Sequence, residues 1–232
     1  MAAGVKGRRR MRTALSAAAL LLALLAAPIA ATAQGVAPSH SHGDMSALPP
    51  PGAVLSTPAY EAATEKMHTA MMAQRFTGQA DADFAAGMLP HHQGAIDMAA
   101  VELHYGTDPG MRALAQGIVA AQQKEIGQLQ AWLAAHPAGG EAASPATAAF
   151  AVAVAKMHRA MDVPITGNAD RDFAQAMLPH HQGAIDMAGV ELRAGTDPGM
   201  RALAQGIVAA QQKEIGQLQA WLAAHPAKDA PQ

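Results

Sequence analysis

The chain contains no cysteine. Disulfides, thiolate metal sites and thiol nucleophiles are thereby excluded. Aromatic residues make up only 3%, so a core must be built from Ala, Leu, Ile, Val and Met. That composition suits closely packed helices better than a sheet, and no period-two alternation marks a strand. The sequence has no phosphate loop, no cofactor fingerprint and no Ser or Cys nucleophile beside a base. It reads as a protein without a catalytic constellation, hence not as an enzyme.

Long apolar runs are confined to the start. Lys6, Arg8, Arg9, Arg10 and Arg12 precede an apolar stretch over residues 14–30, and Ala31-Thr32-Ala33 is a small-x-small cleavage site. Residues 1–33 are therefore expected to be a secretory signal peptide, which implies a bacterial periplasmic or secreted protein. Pro28 and the Ala-rich composition argue against a retained anchor. No other segment approaches spanning length, so no membrane span is expected after cleavage.

Five of the 16 basic residues and none of the 18 acidic ones lie in that leader, which leaves 11 against 18 and a net charge of about −7. An acidic chain is a poor partner for nucleic acid.

What is abundant is methionine and histidine: 14 and 11 residues. Residues 34–57 read as a Pro/Gly/Ser-rich flexible tether carrying His40, His42 and Met45 in "HSHGDM". An internal repeat follows. Unit 1 covers residues 58–138 and unit 2 residues 147–227, mostly at an offset of 89; residues 106–138 and 195–227 are identical. Residues 139–146 are a linker and 228–232 a tail. Identity on this scale reflects duplication of the whole unit. The first helix has drifted more, yet Lys-Met-His-x-Ala-Met stands in both copies, as Met67, His68, Met71 and Met157, His158, Met161.

Each unit is expected to be three helices. The first runs over about 58–75, with a break at Thr77-Gly78. The second runs from near Asp81 to before Gly106. The third opens on Asp108-Pro109 and ends at His136-Pro137. In the second helix Phe84, Met88, His91, Ala95, Met98 and Glu102 form one interior stripe, while His92 belongs to its neighbour. Adjacent residues point about 100° apart, so His91 and His92 should address different neighbours. Pro90 should bend the helix just before them. Glu125 on the third helix is placed to bridge a second-helix histidine.

The expected chemistry is a metal cleft between helices one and two of each unit. Its donors would be Met67, His68, Met71, Met88, His91, His92 and Met98 in unit 1. In unit 2 they would be Met157, His158, Met161, Met177, His180, His181 and Met187. Glu102, Glu125, Glu191, Glu214, His40, His42 and Met45 would play weaker or supporting parts. Thioether with imidazole favours copper, Cu(I) above all. Zinc prefers Cys, His and carboxylate. A di-iron site needs two Glu-x-x-His motifs; Glu65-Lys-Met-His68 is one, but its counterpart begins with Ala155. Zinc and iron are thus less expected. The partners expected are the metal ion and other copper-handling proteins.

"MLPHHQGAIDMA", at residues 88–99 and again at 177–188, together with "LAQGIVAAQQKEIGQLQAWL", resembles the domain-of-unknown-function 305 family over nearly the whole of both units. The resemblance implies two tandem, exported, ferritin-like antiparallel helical bundles, often copper-associated, with Met and His as ligands. It points to Met88, His91, His92 and Met98, and to Met177, His180, His181 and Met187. One departure stands out: Leu129 and Leu218 occupy the place of an expected methionine late in the third helix. The reading that follows is a copper-buffering or copper-sequestering protein. A metal-independent helical interaction module stays open, as does a small metal-dependent redox enzyme.

Overall fold

The structure is a computed structural model that describes residues 56–137, 139–140 and 142–227. The expected signal peptide, the tail, and His40, His42 and Met45 of the tether lie outside the described residues. Six helices follow in order: α1 (Ser56–Met72), α2 (Ala80–Tyr105), α3 (Pro109–Ala135), α4 (Pro145–Ala160), α5 (Ala169–Ala194) and α6 (Pro198–Ala224). The described residues contain no strand.

The helix ends follow from local chemistry. The Asp108 carboxylate accepts from Met111 N, with Pro109 in the first turn, where its missing N–H costs nothing. Asp197 and Pro198 repeat this for α6. Ser144 accepts from Thr147 N ahead of Pro145 to open α4. Gly78 and Gly167 take φ of +83° and +81° in the turns before α2 and α5, a region glycine enters without a Cβ penalty. The Asp83 carboxylate gathers Thr77 N, Thr77 Oγ1 and Gly78 N around the first of these turns. α1 begins and ends a little earlier than its expected span. α2 continues through Pro90 without interruption.

The two repeats pack as one body with α2 against α5 at its centre. α1 and α3 lie on α2, while α4 and α6 lie on α5. The central pair is antiparallel: Asp81, at the start of α2, binds Thr196 and Asp197 just beyond the end of α5. Asp170, at the start of α5, binds Thr107 and Asp108 beyond the end of α2. These reciprocal contacts describe a local two-fold relation between the repeats. The core is largely aliphatic and thioether, with Met88, Met98, Ile118, Leu129, Met157 and Met177 among its most deeply buried members. Phe84 and Phe173 sit at equivalent places in it.

Candidate metal centre

The interior stripe of α2 is buried as its periodicity requires: Phe84, Met88, His91, Ala95, Met98 and Glu102 are all essentially inaccessible. His91 faces the other repeat. Its Nε2 lies 3.1 Å from the His180 carbonyl, and His180 Nε2 lies 3.0 Å from the His91 carbonyl. A carbonyl oxygen only accepts, so both Nε2 atoms carry the proton and donate. The two rings stack across the two-fold with centroids 3.7 Å apart. Their Nδ1 atoms are bare and have no partner. Burial, then the neighbouring histidines, holds both imidazoles neutral, with pKa values pushed well below the ordinary histidine range.

His92 turns to α3, where its Nε2 stands 2.9 Å from a Glu125 carboxylate oxygen; His181 and Glu214 repeat the pair at 2.8 Å. The distances are short, but the geometry is not that of an aligned hydrogen bond. The adjacent histidines thus address different neighbours, and the expected bridge from Glu125 is present.

Helix α1 places Met67 on α2 at Gly94, where a side-chain carbon would collide with the thioether. Met157 sits on Gly183 in the same way. The glycine of "HHQGAIDM" therefore makes room for the methionine of "KMHxAM". This role escapes a reading by ligand type, since glycine carries no chemistry of its own. His68 does not turn toward the histidines of α2. It meets His158 of the other repeat, with ring centroids 3.9 Å apart. A cavity of about 180 Å³ opens there, lined by Thr64, Met67, His68, His158, Met161 and Asp162. His158 Nε2 is buried and lacks a partner. Burial, then His68, lowers the His158 pKa, so its imidazole is held in the neutral form that can ligate.

The helix-one and helix-two donors are therefore sorted by the fold. Met88, His91, Met98, Met177, His180 and Met187 belong to the closed core, with His92 and His181 paired to carboxylates. Met71 is also buried. Met67, His68, His158 and Met161 share the open cavity. Among the described residues no group of three or more His, Asp or Glu side chains is arranged to hold a metal. Lys66 and Lys156, which precede these histidines, are drawn off by Asp97 and Asp186, each at 2.7 Å.

Glu102 and Glu191, weaker candidates in the sequence, lie elsewhere. Each is fully buried beside an aspartate of the other repeat, Asp170 or Asp81. Burial, then that neighbouring aspartate, raises Glu102 to about 9. For Glu191, burial and the contact with Asp81 raise it to about 8. Both are protonated at neutral pH. Gly106 and Gly195 leave the space that their carboxyl groups fill.

A family model described as "Domain of unknown function (DUF305)" matches residues 52–133 and 81–222. Comparison with curated proteins finds no match. Among solved structures, a DUF305 fragment from Deinococcus radiodurans is 28% identical, with a TM-score of 0.48 over 64% of this chain and 99% of that one. CopM in its Cu(I)-bound form is 31% identical, with a TM-score of 0.48 over 62% of this chain and 96% of that one. CopM in an Ag-bound form obtained by soaking is 29% identical, with a TM-score of 0.49 over the same shares.

Proposed function

The chain belongs to the family described as domain of unknown function 305, and on that premise we propose that it is an exported copper-binding protein that buffers or sequesters the ion through Met and His side chains. The observation that supports this reading is the cavity at His68 and His158, where two imidazoles and the thioethers of Met67 and Met161 line one space. Thioether sulfur is soft and imidazole intermediate, a donor pair that favours Cu(I) over zinc or magnesium. The chain offers no thiolate to compete. The leader over residues 1–33 fits a compartment outside the cytoplasm.

The protein's part is to hold and release the ion, with no turnover. The test is Cu(I) titration of the full chain under reducing conditions, with thermal unfolding as readout. A ion bound only by the folded state raises the melting temperature, and saturation at about 100 times Kd adds about 2.7 kcal/mol. A melting temperature that copper leaves unchanged would instead identify a metal-independent helical module.

A further inference from the structure

We propose that copper is held between the two repeats rather than once within each: a single ion beside the local two-fold, ligated by His68 and His158 and by the thioethers of Met67 and Met161. This rests on the copper-binding reading above and assigns its place and stoichiometry. The two histidines come from α1 and α4, helices of different repeats, and their rings are 3.9 Å apart. A metal–nitrogen bond of about 2 Å lies in the plane of the ring, so the two rings must turn out of this contact to share one ion. Both side chains are half-buried, so rotation about their terminal torsions can aim the nitrogens at one point. His158 Nε2 already lacks a hydrogen-bond partner, which leaves an orphaned buried atom that an ion would satisfy.

The other histidine pairs also leave buried ring nitrogens without a hydrogen-bond partner, but they lie in the closed core and not at a cavity. His91 and His180 spend Nε2 on each other's carbonyls, and His92 and His181 face carboxylates. The cavity joins its two imidazoles to sulfur from each repeat, Met67 from one and Met161 from the other. Two nitrogens and two sulfurs make a soft four-donor set suited to Cu(I). Asp162 at the edge of the cavity adds a negative charge for the cation. An ion there ties α1 to α4, so occupancy clamps the repeats together.

The experiment is competition of the full chain against a chromophoric Cu(I) chelator, followed by X-ray absorption of the loaded protein. The variants are His68→Ala, His158→Ala and Met161→Leu. The last keeps side-chain volume, which buried sites tolerate well, and so removes a ligand without emptying the core. The expected result is one tightly held ion per chain with nitrogen and sulfur neighbours. Each variant should lose at least the ~10–100-fold in affinity that disturbing even an outer partner of a metal ligand costs. Two equivalent ions per chain overturn the shared site, as does wild-type affinity in the folded Met161→Leu and His68→Ala proteins; either result leaves copper binding itself standing. Failure of the unaltered chain to bind Cu(I) removes the underlying function.

Discussion

At Gly94 the backbones of α1 and α2 come so close that a Cβ there would lie 2.8 Å from Met67 Cβ and overlap the thioether. Gly87, two turns earlier on the same helix, has nothing within 4 Å of the equivalent position. The same substitution should therefore change sign between them. Gly87→Ala is expected to stabilise by about 0.5–1 kcal/mol through helix propensity. Gly94→Ala should destabilise by about 1–3 kcal/mol through overpacking. Urea denaturation of the two variants measures both; a Gly94→Ala protein as stable as the wild type would mean that the thioether seat is not tight.

Glu102 and Glu191 give a second residue-scale prediction. Their folded pKa values, about 9 and about 8, lie above the ordinary value of 4.5. The native state thus holds protons that the unfolded chain releases. The stability they contribute is complete below about 4.5 and is lost as pH rises through about 8 to 9. The buried His91 and His180, shifted downward, act oppositely: their contribution is complete above 6.5 and lost on acidification. Urea midpoints between about pH 7 and 9 isolate the carboxyl effect. The wild type should lose stability across that window. A Glu102→Gln/Glu191→Gln protein, whose amides stay neutral and can donate to Asp170 and Asp81, should lose less. Equal slopes would show that these carboxyls are not protonated in the fold.

The ends of the central helices carry the prediction at the scale of elements. Asp170 opens α5 yet serves the turn between α2 and α3, accepting from Thr107 N, Thr107 Oγ1 and Asp108 N. Asp81 does the same for Thr196 and Asp197. Removing such an acceptor leaves backbone donors unpaired at about 1–3 kcal/mol. Asp170→Ala should therefore destabilise by that amount and speed amide exchange at Thr107 and Asp108, while Asp170→Asn, which keeps one acceptor oxygen, costs less. Unchanged exchange at those two amides would dissociate Asp170 from the turn. A sequence reading sees acids near the start of a helix and assigns them to that helix. Asp83 holds its own turn at Thr77 and Gly78 and also accepts from Thr147 Oγ1 of the other repeat. Asp81 departs from that reading, because its partner lies 115 residues away.

For the whole molecule, the repeats share long identical stretches in their second and third helices and bury the same faces against each other. A self-complementary face of this kind is what a two-fold homodimer uses. A chain ending at residue 140 would leave the His91 face of α2 uncovered, and a second copy carries every group needed to cover it. The expected outcome is a helical homodimer, with His91 stacked on its own counterpart and Asp81 on the Thr107 of the other copy. Analytical ultracentrifugation checks this; a folded monomer would show that the α2–α5 contact is dispensable.

Helix order, caps and the buried stripe of α2 were legible because each rests on neighbours within a few residues: Asp108 before Pro109, Met88 to His91 to Met98. The supply of soft donors was equally legible, since no cysteine is present and Met and His recur together. The divergence of His91 and His92 followed from helical geometry alone. What tertiary structure decided is which donors meet. His68 and His91 belong to one repeat, yet each finds its ring partner in the other, at His158 and His180. The pairing depends on how α2 packs on α5, a contact between segments far apart in the chain. Periodicity states which face is buried, and only packing states what covers it.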